Sequence, residues 1–169
     1  MALSNGIAAS FRAAVKAHNA DAVATAYKAK DVDAMLAFYN ATAAGPVKLW
    51  RPDVKPAELA SGIVMSGFVA MTAVQQNGML LLLQLGQGGL DATNANVRAS
   101  FSTLFSVASP TTLTNLTNIA QRPATNFEAI AAYLTSASGA NVCDPAVYGK
   151  VLTRVEIGSA LWDDAGNPL

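Results

Sequence analysis

A chain of 169 residues fits one domain of ordinary size, long enough to bury a single sizeable core. Its apolar content is 52% and its charged content only 13%, well below the average of about 25%, so its surface favours burial against copies of itself or other proteins over a free monomer. With 11 basic and 11 acidic residues interleaved it lacks the basic stripe of a nucleic-acid binder, and its one cysteine, Cys143, excludes an intrachain disulfide and a thiolate metal site of the usual kind.

Ser4 or Asn5 can cap a first helix running to about His18, with Ile7, Ala8, Phe11, Ala14 and Val15 as its apolar stripe. Arg12 and Lys16 fall within that pattern, which therefore does not read as a signal peptide. Asp21 is a good N-cap for a second helix, Ala22 to Lys30, and Asp31 or Asp33 for a third reaching about Ala43 and carrying Met35, Leu36, Phe38 and Tyr39. Short Ala-rich helices of this kind are marginal alone and must pack on something larger.

Gly45-Pro46 breaks the chain. Val47 to Trp50 then alternates like a strand, and Arg51-Pro52 keeps the path extended because a residue before proline avoids the helical region. Pro56 suits the first position of a helix reaching about Met65, with Glu58 favouring the positive end of its dipole. Ser66-Gly67 marks a kink before Phe68 to Met71.

The middle of the chain has no charged residue from Leu59 to Leu90. Within it, Thr72 and Gln75 have capping-box spacing, so a helix starts at Ala73 and stops at Gly86, where glycine tolerates the left-handed conformation. Met79, Leu80, Leu82, Leu83 and Leu85 leave this helix apolar nearly all round, which predicts burial. A membrane span is disfavoured by Gln75-Gln76-Asn77-Gly78, the Gly-rich exit and the absence of flanking basic clusters.

Beyond a turn at Asp91 to Thr93, Thr93 or Asn94 caps a helix to Phe105 or Val107 that buries Val97, Phe101, Leu104 and Phe105, with Arg98 opposite. Ser109-Pro110 restarts a helix through Leu113, Leu116, Ile119 and Ala120 as far as Arg122-Pro123. Phe127, Ile130, Ala131 and Leu134 form a last long apolar face. Ser136 to Asp144 reads as a loop, Val147 to Val151 as a second short strand, and Thr153 with Glu156 as a capping box opening a terminal helix through Trp162. Val54 to Ile63 and Leu152 to Leu161 echo each other faintly, each placing an extended segment before a short helix with its glutamate at the same place.

The expected architecture is mainly α: one domain over 1–169, roughly seven to nine short helices around a buried central helix. At most a minor two-stranded β element accompanies them, formed by Val47 to Trp50 and Val147 to Val151. The N-terminal helices occupy 1–45, the core helices 46–134 and a C-terminal loop and helix 135–169. Leu80, Leu83, Phe101, Leu104, Leu116 and Phe127 are the expected core.

Few residues point to chemistry. His18 is the only histidine and sits at a helix end, where an imidazolium favours the dipole. Cys143 would need a positioned base to act as a nucleophile. Asp31 with Asp33, and Asp163 with Asp164, are not spaced for one helix face and read as caps or solvated acids. Gly86-Gln87-Gly88-Gly89 follows a helix and lacks the lysine and hydroxyl of a P-loop, so it is a helix stop. No catalytic, cofactor-binding or metal-ligating set emerges. Trp50, Arg51 and Trp162 are the candidate interaction residues, because tryptophan and arginine are enriched among binding hot spots; the alternative for Trp50 is that it closes the core beside the short strand.

Glu58-Leu59, the Phe68 to Thr72 turn into a Gln-rich helix, Asp91 with Asn96-Val97-Arg98, Leu104-Phe105 and the Thr111 to Leu113 start follow one another in an order that resembles small helical proteins encoded among the structural and tail genes of tailed bacteriophages. The resemblance runs over 53–161 and leaves out 1–45. It implies a virion component or assembly factor, and it implies no catalytic residues. The leading expectation is therefore a structural, tail-associated protein of the virion, assembled in the host cytoplasm through contacts with other virion proteins and with its own copies. A soluble assembly chaperone absent from the mature particle is the runner-up, and an enzyme whose pocket gathers acids with Arg98 or Arg122 comes third.

Overall fold

The computed structural model describes residues 3–18, 21–45, 47–106, 108–130, 133–135, 141–143, 147–163 and 166–169. In chain order its elements are α1 (Asn5–Ala17), α2 (Ala22–Ala29), α3 (Val32–Asn40), β1 (Lys48–Trp50), α4 (Pro56–Gly62), α5 (Met65–Val69), α6 (Ala73–Leu85), α7 (Ala95–Phe105), α8 (Pro110–Ile119), β2 (Gln121–Pro123), α9 (Asn126–Ile130), β3 (Tyr133–Thr135), β4 (Asn141–Cys143) and α10 (Arg154–Leu161). The chain is mainly helical with a minor β element, as its patterning predicts. None of the described helices is long and apolar enough to cross a membrane. Among the described residues the chain forms two compact units, one drawing on Met1–Val47, Pro123–Thr135 and Asn141–Leu169, the other on Lys48–Arg122.

In the first unit the expected stripe of α1 is buried at Ile7, Ala8, Phe11 and Val15. Aspartates start the next two helices: the Ala24 amide donates to Asp21 Oδ1 at 2.9 Å and the Ala34 amide to Asp31 Oδ1 at 3.0 Å, each satisfying one orphan donor of a first turn. Asp31 is thus the cap of α3, and Asp33 lies inside the helix. Helix α3 ends at Asn40, short of Ala43, because the next residues pair their backbone with 124–126, the Ala43 amide donating to the Ala124 carbonyl at 2.8 Å and the Asn126 amide to the Ala41 carbonyl at 2.9 Å. The Asn40 amide group meanwhile accepts from the Leu152 N–H at 2.8 Å and donates to its carbonyl at 3.1 Å. Phe11 meets Tyr39 and Phe127 edge-on, with centroids 4.8 and 5.6 Å apart, the arrangement that ring quadrupoles favour. Burial pushes the Tyr39 hydroxyl above its ordinary range.

Three expectations fail in this unit. Val147 to Gly149 is a turn, closed by the Lys150 amide on the Val147 carbonyl at 3.0 Å with Gly149 at φ +66, so no strand forms there. The long apolar face from Phe127 is cut after Ile130: Ala131 lies outside the described residues, and Leu134 belongs to β3, which pairs antiparallel with β4 in the register Leu134 to Val142. That pairing also puts a strand at 141–143 within the expected loop; 136–140 and Asp144 lie outside the described residues.

In the second unit β1 pairs with β2, not with the segment near Val151. The reason lies at Arg122-Pro123: helix α8 stops at Ile119, and the pre-proline preference for extended backbone supplies a strand partner next to the Arg51 amide, which donates to the Ala120 carbonyl at 2.8 Å. Residues Met65–Val69 form a short helix of their own where a kink was expected.

The capping box of α6 is present, with the Gln75 amide on Thr72 Oγ1 at 3.3 Å and the Thr72 amide on Gln75 Oε1 at 3.0 Å. Its burial is not. Met79 is buried, but Val74, Leu80 and Leu81 are exposed and Leu83 is half-buried, because α6 packs on α7 along one side and apolar composition alone does not supply a second neighbour. Of the expected core, Leu116 and Phe127 are buried, Leu83, Phe101 and Leu104 are half-buried, and Leu80 is exposed. Gly86 ends α6 at φ −84 without the left-handed conformation. A β-carbon there would come 2.5 Å from Leu90 Cγ, so close approach is what requires glycine.

Candidate interaction face

At 100° per residue, Val74, Asn77, Leu80, Leu81 and Gln84 share one arc of α6, opposite buried Met79. The three apolar members are 81%, 48% and 55% exposed. Beside this arc Gly78 and Leu82 line a groove of about 520 Å³ whose other wall is Asn96, Ala99, Ser100, Thr103 and Leu104 of α7. Its small residues would let a backbone approach closely. Met65 and Val69 of α5, 64% and 71% exposed, add apolar surface within the same uncharged stretch. Scattered exposed leucines are ordinary, whereas several on one uncharged arc beside a groove make this arc the candidate interaction face.

The expected interaction residues are placed elsewhere. Trp50 is only 9% exposed and stacks beneath Arg98, whose guanidinium carbon lies 5.0 Å from the indole centroid. Arg51 holds Glu58 end-on through Nη1 to Oε1 at 2.8 Å and Nη2 to Oε2 at 3.1 Å, and Nη1 also donates to the Ile119 carbonyl at 3.2 Å. That bond raises the Arg51 pKa and, with the Lys55 amide, lowers that of Glu58. Trp162, in the other unit, is 7% exposed and tilts against Tyr27 with centroids 5.6 Å apart. Each of the three is thus engaged within its own unit.

The chemically suggestive residues also have local structural partners. His18 Nδ1 pairs with Asp21 Oδ2, and the His18 ring meets Phe38 edge-on at 5.7 Å. The Ala24 amide and then His18 hold the Asp21 carboxyl below its ordinary pKa. Asp33 pairs with Arg154 at 2.6 Å, and Asp163 accepts from the Asn167 amide at 2.6 Å; Asp164 lies outside the described residues. Cys143 stands opposite Tyr133 in the β3–β4 pairing, and its side chain lies outside the described residues. At Gly86 to Gly89 the chain turns back so that Val54 and Leu90 exchange amide bonds of 3.0 and 2.8 Å, with Gly89 at φ +117. Among the described residues no group of three or more His, Cys, Asp or Glu is placed to hold a metal.

Two features escape the sequence pattern. Val74 carries no signal that it faces outward, since its neighbours are polar on either face. Arg98 was expected opposite the buried stripe, yet its Nη1 donates to the Ala92 and Thr93 carbonyls, both at 2.7 Å, which turns it inward over Trp50.

Compared with known proteins, the chain matches no family model, no curated protein and no solved structure.

Proposed function

We propose that the chain is a non-catalytic structural protein of a bacteriophage particle, which associates with further copies of itself and with other virion proteins through the α6 face. The observation that carries this reading is the exposed arc of Val74, Leu80 and Leu81 in a stretch without charge. Removing such side chains from water stabilises a contact by about 25 cal/mol per Å² of apolar surface. A second copy fits as the occupant because a charge-free face meeting its own kind desolvates no ion. A face that meets its own copy makes a two-fold contact. The resemblance of 53–161 to tail-module proteins supports the virion setting.

Mass spectrometry of purified particles, run beside sedimentation of the isolated protein, tests this. Recovery of the chain from particles in fixed stoichiometry is expected. A protein that is made during infection but absent from particles would fit a soluble assembly chaperone and overturn the virion reading; a clean monomer in solution would overturn self-association through the α6 face.

A further inference from the structure

Arg98 is the one charged side chain lining a cavity of about 50 Å³ in the second unit, whose walls include Trp50, Leu59, Val97, Phe101 and Leu116. Its Nη1 makes the two carbonyl bonds, which leaves the guanidinium's Nε–Nη2 edge, and Nε is buried without a hydrogen-bond partner among the described residues. A buried donor in that condition is costly. The charge has little compensation: Trp50 offers its ring face, while exposed Asp91, the acid whose field reaches the guanidinium, has Oδ1 occupied by the Thr93 amide at 2.9 Å. Burial accordingly lowers the Arg98 pKa, although an arginine side chain stays a cation in proteins.

We propose that this cavity binds a small monocarboxylate, its two oxygens received by the Nε–Nη2 edge of Arg98 and its short alkyl group by the apolar wall at Leu59 and Leu116. A carboxylate matches the two parallel donors of that edge. Phosphate fits less well, because a second negative charge would find no second cation in the lining. Chloride would satisfy the charge but neither the paired donors nor the apolar wall. The volume limits the size: at about 50 Å³ the cavity is a third of the ~150 Å³ that admits benzene, so it takes nothing larger than acetate.

Trp50 reports on the site in the Trp162→Phe protein, where it is the sole tryptophan of the chain. Titration with acetate at constant ionic strength should change its emission saturably, with a half-point on the order of millimolar, and should raise the Tm of the unmodified protein by ~3 °C near saturation. Arg98→Met should abolish both responses. Arg98→Lys, which keeps the charge without the paired donors, should weaken binding at least several-fold and carries the test if Arg98→Met does not fold. An unsaturable response, a response that survives loss of Arg98, or an equal response to chloride would overturn the assignment.

Discussion

Lys150 Nζ lies 2.6 Å from Glu156 Oε1, and the Glu156 side chain is 4% exposed. The same carboxylate accepts from the Thr153 amide and hydroxyl through Oε2, at 3.1 and 3.0 Å. Burial would raise its pKa, but the Lys150 and Thr153 bonds outweigh burial and leave it below the ordinary glutamate value. A lowered folded pKa stabilises fully above the unfolded value of about 4.5 and fades as pH falls through the folded one. Urea titrations should therefore show stability falling with acidification below pH ~4.5, more steeply in the wild type than in Glu156→Gln. Lys150→Met, which strands the buried carboxylate, should cost about 3 kcal/mol at pH 7.

Two Gly→Ala changes should have opposite signs. A β-carbon at Gly67 would lie 2.4 Å from Ser109 Cβ, and Ser109 is held by its 2.7 Å bond to Thr112 Oγ1, so Gly67→Ala should destabilise by ~1–3 kcal/mol. At Gly78, inside α6, the nearest atom is Leu104 Cδ2 at 3.4 Å, an ordinary contact. Gly78→Ala should stabilise by about 0.5–1 kcal/mol through backbone entropy. Thermal unfolding of both variants checks the pair.

Helix starts were the most legible part of the sequence, because their causes are local. Asp21, Asp31, Thr72, Asn94 and Thr153 each cap the helix that begins beside them. The faint echo between Val54 to Ile63 and Leu152 to Leu161 has a structural counterpart: Glu58 and Glu156 each cap their own helix start and pair with an upstream cation, Arg51 or Lys150. Pairing and burial were less legible because they depend on distant partners. Nothing near Trp50 states that its strand neighbour is Gln121–Pro123, and nothing within α6 states that only one side meets α7. The candidate face was hidden for that reason: an uncharged helix reads as core until its exposed side is seen.

Leucine truncations along the second unit should grade with burial. Leu116→Ala, at a 4% exposed position, should cost about 2–5 kcal/mol. Half-buried Leu83 should cost ~1–2 kcal/mol on the same replacement, less than a fully buried leucine, and exposed Leu81 less than about 0.5 kcal/mol. A Leu83→Ala loss equal to that of Leu116→Ala in denaturant titration would place α6 in a closed core.

The tryptophans should behave as core residues of their own units. Trp50→Ala and Trp162→Ala should each cost about 3–5 kcal/mol, measured by chemical unfolding. His18→Gln and Cys143→Ser should leave the protein folded and incorporated into particles, since a structural protein requires neither a proton carrier nor a thiolate. Loss of function in a folded, assembled His18 or Cys143 variant would oppose the non-catalytic reading.

Sedimentation velocity of the 17.4 kDa chain beside its Leu81→Asp variant tests the central claim most directly. The wild type should sediment as an oligomer at micromolar concentration, and Leu81→Asp, which places a charge on the exposed arc at a position 55% exposed, should sediment as a folded monomer with unchanged helical circular dichroism. A wild type that stays monomeric at high concentration, or a Leu81→Asp variant that assembles as the wild type does, would contradict the assignment of this face.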